Sequence, residues 1–412
     1  MRYGMIAAGL GMALVAAGAG AENWPRFRGP NGTGIAPAEF TSAVTARDVA
    51  WKVALPGVGH SSPVVWGEHV YVTSADDGAA KRYVICLSAA DGKVLWKRDY
   101  SFGSYHKHKL NSYASATPAA DDLGVYVVWT TPQDYSLLAF DHEGKERWKK
   151  SLGSFRSQHG SGSSPIVVND LVVVNDDQEK SASATYAFDR ATGQQRWMVG
   201  HQSSGKAAMA TPCVWKPASG PEQVIVPTFG GGIQSVDPRS GKLLWEATGV
   251  FFSRPVGSPV TTDDLVICVN GEGAVQRELV AVRPGASGEK PKLVYKIKSL
   301  GPHVPTPLVS GERLILLNEA GQLTCVEAET GKTTWSEKLG SGFYGSPIVS
   351  GDLLWAIDRE GRLNGVNIAD GMKPVCKLDL GESSQTTPAV ADGRMFLRTV
   401  SHLICVKNGQ AR

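Results

Sequence analysis

Histidines and cationic side chains precede several of the short apolar runs in this 412-residue sequence. Imidazole nitrogens bind transition metals, and guanidinium and ammonium groups pair with carboxylates and phosphates. If the segments that carry these side chains meet in space, they predict a site for a small anion or a metal ion. Five of the nine histidines belong to this set, whose members are His60, His106, His108, His159, His303, Lys206, Arg254, Tyr344 and Gln385.

Acidic and amide side chains form a second set, between later pairs of apolar runs. Because successive strands of a hairpin reverse direction, such loops open on the same face as the first set. Two interpretations stay open: a ligand site, or polar loop residues at the wet mouth of a channel. The members of this second set are Asp76, Asp77, Asp134, Asp176, Asp177, Asn270, Glu272, Asn318, Glu319, Asp358 and Glu360.

No catalytic motif is present in the sequence. Ser203-Ser204-Gly205-Lys206 is not interpreted as a phosphate-binding loop, because no helix is expected after it. Neither H-E-x-x-H nor G-x-S-x-G occurs. We therefore assign no catalytic residue and no set of metal ligands, and treat the first set as candidates for binding only.

Eight sequence repeats supply the elements that must position these side chains. Each repeat begins with a small residue, a variable residue and proline, followed by a short apolar run. Successive prolines are 40 to 55 residues apart, and such a period with several strands is typical of a β-propeller. The prolines are Pro63, Pro118, Pro165, Pro212, Pro259, Pro307, Pro347 and Pro388.

The third repeat, residues 163–197, shows the expected strands. Ile166–Val168 and Leu171–Val174 are β-rich runs joined by turn residues, and Thr185–Phe188 and Gln195–Met198 follow around a second turn. Four antiparallel strands per repeat predict an all-β fold. The chain is expected to form an eight-bladed β-propeller of four-stranded antiparallel blades.

A large aromatic ring recurs on the fourth strand of most repeats. A periodic series of this kind is typical of packing at the junction with the next blade, so we predict structural docking rather than ligand stacking. Tyr295 is expected to replace the tryptophan in the fifth repeat. The series is Trp51, Trp96, Trp148, Trp197, Trp245 and Trp335.

Closure of the ring is predicted from the two ends of the chain. The eighth repeat has room for three strands before Arg412, and Val49–Val53 resembles a fourth strand with its tryptophan. We therefore predict that this N-terminal strand completes the last blade and removes an exposed sheet edge.

The first residues predict export. Met1-Arg2 precedes an apolar stretch rich in Gly and Ala, and Ala19-Gly20-Ala21 supplies a cleavage site. Residues 1–21 are predicted to be a signal peptide, with an uncleaved membrane anchor as the alternative. The further divisions are a lead-in segment (22–48), the propeller (49–408) and a C-terminal tail (409–412).

The formal net charge of +3 indicates neither a nucleic-acid partner nor an acidic membrane surface. No later stretch is long and apolar enough to span a bilayer. We expect a monomer in the periplasm or secreted, soluble after cleavage.

Six cysteines raise the question of disulfides in an exported protein. Aligned third strands place Cys86, Cys325 and Cys405 in a column of small residues, where cysteine acts as a small buried hydrophobe. Cys268 is interpreted in the same way. Cys213 and the remaining Cys376 stay undecided.

The repeat endings resemble those of the pyrroloquinoline quinone (PQQ)-like propeller superfamily. Ala187–Trp197 and Cys325–Trp335 are similar to its tryptophan-docking repeat, and the resemblance covers nearly all of residues 49–408. Trp24–Gly34 resembles the leader of exported PQQ-like propellers. We expect this leader to pack on the propeller rim, with a partner-binding arm as the alternative.

The superfamily has two branches with different functions. Quinoprotein dehydrogenases use PQQ and calcium to oxidise alcohols or sugars, whereas the outer-membrane assembly factor BamB is a cofactor-free scaffold. This chain lacks adjacent cysteines, a cytochrome domain and long covering insertions. The resemblance therefore implies a non-catalytic scaffold without cofactor and with a protein partner in the cell envelope. A PQQ- and calcium-dependent dehydrogenase is the alternative.

Overall fold

Eight four-stranded antiparallel sheets arranged in a ring form the described part of the chain. The computed structural model describes residues 22–36, 40, 43–202, 205–273, 276–285, 289–340 and 342–408. The predicted signal peptide and C-terminal tail lie outside these residues. The all-β, eight-bladed propeller that the repeats predict is confirmed.

Blades 1 to 4 each consist of four consecutive strands. Their bounds are, for blade 1, β2 (Val64–Trp66), β3 (His69–Asp76), β4 (Lys81–Ser88) and β5 (Val94–Ser101); for blade 2, β6 (Ala119–Asp121), β7 (Gly124–Thr130), β8 (Tyr135–Phe140) and β9 (Glu146–Ser151); for blade 3, β10 (Ile166–Val168), β11 (Leu171–Asp176), β12 (Ser183–Asp189) and β13 (Gln195–His201); for blade 4, β14 (Cys213–Trp215), β15 (Gln223–Thr228), β16 (Gly232–Val236) and β17 (Leu243–Ala247).

Blades 5 to 7 follow the same order, and blade 8 takes its fourth strand from the N-terminal side. Their bounds are, for blade 5, β18 (Val260–Thr261), β19 (Val266–Glu272), β20 (Gln276–Arg283) and β21 (Lys292–Lys298); for blade 6, β22 (Leu308–Ser310), β23 (Arg313–Leu317), β24 (Gln322–Glu327) and β25 (Thr333–Lys338); for blade 7, β26 (Ile348–Ser350), β27 (Leu353–Ile357), β28 (Arg362–Asn367) and β29 (Lys373–Asp379); for blade 8, β30 (Ala389–Ala391), β31 (Arg394–Arg398), β32 (His402–Lys407) and β1 (Val49–Ala54).

Strand β1 closes the ring, as predicted. It pairs antiparallel with β32, and Trp51 lies opposite Cys405 while Val53 lies opposite Leu403. Two short 3-10 helices, Pro30–Gly32 and Ala46–Asp48, precede it. In the described residues no helix is long and apolar enough to cross a membrane.

The column of small residues on the third strands lies directly opposite the aromatic rings on the fourth strands. Cys86 pairs with Trp96, and Ala187 pairs with Trp197. A small side chain at this register leaves room for the ring on the neighbouring strand, which explains why only cysteine, alanine, serine and glycine occur in the column. All six thiols are free, and only Cys376 is not fully buried. The expected buried free thiols are confirmed.

Most of the fourth-strand rings also reach the next blade. Indole Nε1 of Trp148 donates to Arg190 O at 3.1 Å, and that of Trp197 donates to Pro238 O at 3.0 Å. Tyr295 replaces tryptophan through its hydroxyl, which donates to Ala328 O at 2.6 Å. Each of these rings lies over the glycine that ends the turn before the next fourth strand.

Trp245 departs from this pattern. Its Nε1 donates to Gln223 Oε1 within its own blade at 2.8 Å. The connection between the third and fourth strands of blade 5 has no Asp-x-x-x-Gly turn for the ring to cover. Trp215, on the first strand of blade 4, donates to Thr262 O at 2.9 Å and bridges the two blades instead.

Candidate functional site

A cavity of about 410 Å³ occupies the centre of the propeller, where the segments before the first strands meet. Eight of the nine members of the first predicted set line it; they are His60, His108, His159, Lys206, Arg254, His303, Tyr344 and Gln385. His106 does not line it; its side chain is exposed to solvent. Of the second predicted set, Glu272 and Glu319 face the cavity within the described residues.

A closed ring of hydrogen bonds surrounds this cavity. The residue before each repeat proline donates its backbone N–H to the side-chain hydroxyl of the equivalent residue in the next blade, at 2.9 to 3.1 Å. The ring passes through all eight blades and returns to its start. Its members, all of which line the cavity, are Ser62, Thr117, Ser164, Thr211, Ser258, Thr306, Ser346 and Thr387. We call this set the hydroxyl ring.

The sequence analysis did not predict the hydroxyl ring, because it treated the position before each proline as variable. The signal was present, because that position is Ser or Thr in all eight repeats. At Gly345, the residue before Ser346, an added Cβ would lie 2.0 Å from Thr386 O in the next blade. Close approach of neighbouring backbones is what allows the ring to form.

Arg254 lies against His159 on one wall of the cavity. The distances from Arg254 Nη1 to His159 Nδ1 and from Nη2 to Nε2 are both 2.8 Å. The His159 ring also stacks on His108, with centroids 5.3 Å apart. Burial, followed by the nearby Arg254 charge, lowers the pKa of His159 to about 4. The imidazole is therefore neutral near pH 7, and Arg254 supplies the positive charge on this wall.

The segment of His303 is held by a carboxylate. Glu319 Oε1 accepts the backbone N–H groups of His303 and Val304 at 2.9 and 2.6 Å, and its Oε2 pairs with Arg277 at 2.9 Å. Burial lowers the pKa of His303 to about 4 and that of His60 likewise. Within the described residues the buried Nε2 of His303 has no hydrogen-bond partner.

Lys206 is paired with the second cavity carboxylate. Its Nζ lies 2.5 Å from Glu272 Oε2. Both carboxylates that face the cavity are thus neutralised by cations on their own walls. Arg254, in contrast, has no carboxylate within 4.0 Å among the residues that the structure describes.

The lead-in segment crosses the other end of the channel. Trp24 pairs with Val65 of blade 1, and Asn31 Nδ2 donates to Val214 O of blade 4 at 2.7 Å. Arg28 is fully buried and donates to Pro307 O of blade 6 at 2.6 Å. Phe27 reaches the main cavity.

The expected position of this segment on the propeller rim is therefore wrong. Its large apolar and cationic side chains are buried against the inner strands, because the open channel offers them both packing surface and backbone carbonyls. These contacts hold the segment against the blades of the same protein. The cavity opens on the opposite face and has Phe27 at its base.

The donor set does not fit a calcium-bound quinone cofactor. Calcium takes several oxygen ligands, and here Glu272 and Glu319 are each already bound to a cation. No three His, Cys, Asp or Glu side chains of the described ranges converge closely enough to hold a metal ion. The histidines of the cavity come from the segments before the first strands of different blades.

Comparisons with known proteins agree with this architecture. A family model described as Outer membrane protein assembly factor BamB matches residues 41–104, 80–306 and 292–374. BamB of Bordetella pertussis is 23% identical over 369 residues, which are 85% of this chain and 84% of that protein.

Solved structures share the fold. BamB from Moraxella catarrhalis superposes with a TM-score of 0.62 at 14% identity and covers 88% of this chain and 98% of its own. A quinohemoprotein alcohol dehydrogenase from Pseudomonas putida gives a TM-score of 0.55 at 13% identity over 95% of this chain and 81% of its own. Since the family model matches well over half of the sequence, the chain is a PQQ-like β-propeller of the family described as outer membrane protein assembly factor BamB.

Proposed function

We propose that this protein is a non-catalytic binding scaffold that acts with protein partners in outer-membrane protein assembly, in the periplasm. The family match over residues 41–374 carries this proposal. The architecture supports it, because a ring closed by β1, by the hydroxyl ring and by the lead-in segment is a rigid platform. Rigid scaffolds that present loops are well suited to binding partners.

The face around the cavity is the partner face in this proposal. The lead-in segment covers the opposite end of the channel, whereas the segment 103–109 beside the cavity is largely exposed. It carries Lys107 and Lys109 on either side of His108, which lines the cavity. A loop or strand of a partner can contact this face without any rearrangement of the blades.

A gene deletion with complementation tests the proposal. We expect the abundance of outer-membrane β-barrel proteins, measured by quantitative mass spectrometry of outer-membrane fractions, to fall several-fold in a deletion strain. The wild-type gene restores it. A variant with charge reversals at Lys107 and Lys109 that folds normally is expected to restore it only in part. Unchanged barrel-protein levels in the deletion strain would refute the assignment.

We further infer that the scaffold works without PQQ and calcium. The engaged carboxylates of the cavity support this inference. Calorimetric titration of residues 22–412 with PQQ, with and without calcium, tests it directly. Saturable, calcium-dependent binding at micromolar affinity would instead favour a quinoprotein dehydrogenase and lead to dye-linked assays on alcohols and sugars.

A further inference from the structure

The hydroxyl ring has unused hydrogen-bond donors. Each Ser or Thr hydroxyl accepts one backbone N–H from the preceding blade, which leaves its own proton free, since a hydroxyl has one donor and two acceptor positions. No described protein atom accepts any of these eight protons. All eight side chains line the same cavity. The inner wall of the propeller therefore carries a collar of O–H donors.

Cationic charge lies next to this collar. The Arg254 side chain lines the same cavity and is half-buried, and burial lowers the pKa of its guanidinium from the ordinary value. A neutral imidazole has one acceptor nitrogen, so His159 can accept only one of the five N–H groups of Arg254. Apart from His159, no described group accepts a hydrogen bond from this guanidinium, so its remaining N–H groups are open to a ligand.

The acceptors of the cavity are already engaged. Glu272 accepts from Lys206, and Glu319 accepts from Arg277 and two backbone N–H groups. The site thus offers many free donors and few free anionic acceptors. Such an imbalance favours an anion over a cation, and planar guanidinium groups bind carboxylates through paired hydrogen bonds.

The size and the apolar parts of the cavity point to an organic molecule. About 410 Å³ is within the range of about 300–1,000 Å³ of small-molecule sites and far above the space of one water. Phe27, Leu110, Met209 and Val304 contribute apolar surface between the polar groups. A bare inorganic ion would leave this surface uncovered.

We propose that the central cavity binds a small organic carboxylate, whose carboxylate group meets Arg254 and whose polar body is held by the hydroxyl ring. The binding site lies inside the cavity that the partner face surrounds, and its occupation by a ligand does not depend on the role in membrane assembly. A ligand here would rest on Phe27 and would be reached from the face on which the cavity opens.

Isothermal titration of residues 22–412, freed of metal ions on a chelating resin and kept in calcium-free buffer without soluble carboxylates, tests this proposal. The probes are citrate and glucuronate as carboxylates, glucose as a neutral polar molecule and sulfate as an inorganic anion. We expect saturable binding of at least one carboxylate and none of glucose. No heat with either carboxylate, or equal binding of sulfate, would overturn the proposal. The absence of calcium separates this site from a calcium-dependent quinone.

Two pairs of variants locate the binding. Arg254→Gln is expected to weaken the carboxylate at least about 10-fold, whereas Arg283→Gln on the outer rim leaves it unchanged. Thr211→Val removes one ring hydroxyl and is expected to weaken binding, whereas Thr211→Ser retains the hydroxyl and the affinity. Melting temperatures and circular dichroism confirm that each variant is folded. Unaltered affinity in Arg254→Gln would place any binding elsewhere and contradict the assignment.

Discussion

The backbone N–H of Thr387 donates to Ser62 Oγ at 3.0 Å, across 325 residues of sequence. This single hydrogen bond joins the last blade to the first and completes the hydroxyl ring. The seam has two further links. Arg398 of β31 is fully buried and donates to Ser61 O and Thr73 O of blade 1 at 3.0 and 2.6 Å, while β1 pairs with β32. The propeller is therefore closed by a backbone-to-hydroxyl hydrogen bond, by the side chain of Arg398 and by the pairing of the N-terminal strand β1 with β32.

Removal of strand β1 should open the ring of blades. Deletion of residues 49–55 leaves the edge of β32 unpaired and exposes the apolar face that Trp51 and Val53 cover. We expect a fall in melting temperature of more than 10 °C or loss of soluble protein, measured by calorimetry. Met198→Thr, at an exposed position of β13, is the control and should melt like the wild type. A truncated protein with the wild-type melting temperature would contradict this mode of closure.

Gly241 and Gly249 offer a matched test of the contact between blades. Both have positive φ, +72° and +67°, but an added Cβ would lie 2.6 Å from Trp197 at Gly241 and meet nothing at Gly249. Gly249→Ala should cost about 1 kcal/mol from backbone strain alone. Gly241→Ala should cost at least about 2 kcal/mol more, because Trp197 must move. Urea unfolding measures both, and equal losses would mean that the ring contact contributes nothing.

The buried Arg28 should anchor the lead-in segment. Its guanidinium donates to Gly32 O at 3.1 Å, Thr33 O at 3.2 Å and Pro307 O at 2.6 Å, so Arg28→Met leaves three carbonyl groups without this donor. We expect a loss of about 2 kcal/mol or more in urea unfolding, with earlier protease cleavage in residues 22–36. Arg47→Met, an exposed arginine of the same segment, serves as the comparison. Similar behaviour of the two variants would show that the segment is not held by Arg28.

Acidification should weaken the contribution of the buried cavity histidines to stability. The pKa of His60 and of His303 is about 4 in the folded protein against an ordinary value of 6.5, mainly because of burial. Between these values the unfolded chain binds more protons, so their contribution falls as pH falls from about 6.5 to 4. Asp176 and Asp177 act in the opposite sense, because burial raises their pKa to about 7.

The two opposing effects are separated by variants. The double variant His60→Asn, His303→Gln should lose less stability than the wild type between pH 6.5 and pH 4.5 in urea unfolding. The double variant Asp176→Asn, Asp177→Asn should lose more over the same interval. Parallel pH profiles for the wild type and the histidine variant would show that these imidazoles are not buried in neutral form.

Thiol titration tests the packing of the cysteines. Burial raises the pKa of the Cys86, Cys213 and Cys405 thiols to about 12 and thereby suppresses the reactive thiolate. In native protein we expect slow reaction with a disulfide reagent at the half-buried Cys376 and none elsewhere. In denaturant all six thiols should react without prior reduction. Fewer than six would indicate a disulfide.

The eight-bladed fold could be predicted from the repeat prolines, the β-rich runs and the turn residues. Each repeat contains the residues that favour four strands and the turns between them, so its structure is determined locally. Closure by Val49–Ala54 also followed from the sequence, since the last repeat lacked a strand and the first was preceded by one. The candidate cavity residues were found for a related reason: loops at equivalent points of a cyclic fold converge on the axis.

Only the tertiary structure decided how these residues are used. The hydroxyl ring depends on N–H···O distances between blades, and a list of Ser and Thr residues does not reveal that each donor meets the next hydroxyl. The path of Trp24–Gly34 across the channel likewise could not be predicted from the sequence, because the residues of this segment do not indicate whether it packs on the rim or is buried in the channel. The difference between Lys206 and Arg254 has the same origin. Lys206 forms an ion pair because the Glu272 carboxylate lies next to it in space, whereas no described carboxylate lies next to Arg254, and this proximity cannot be read from the sequence.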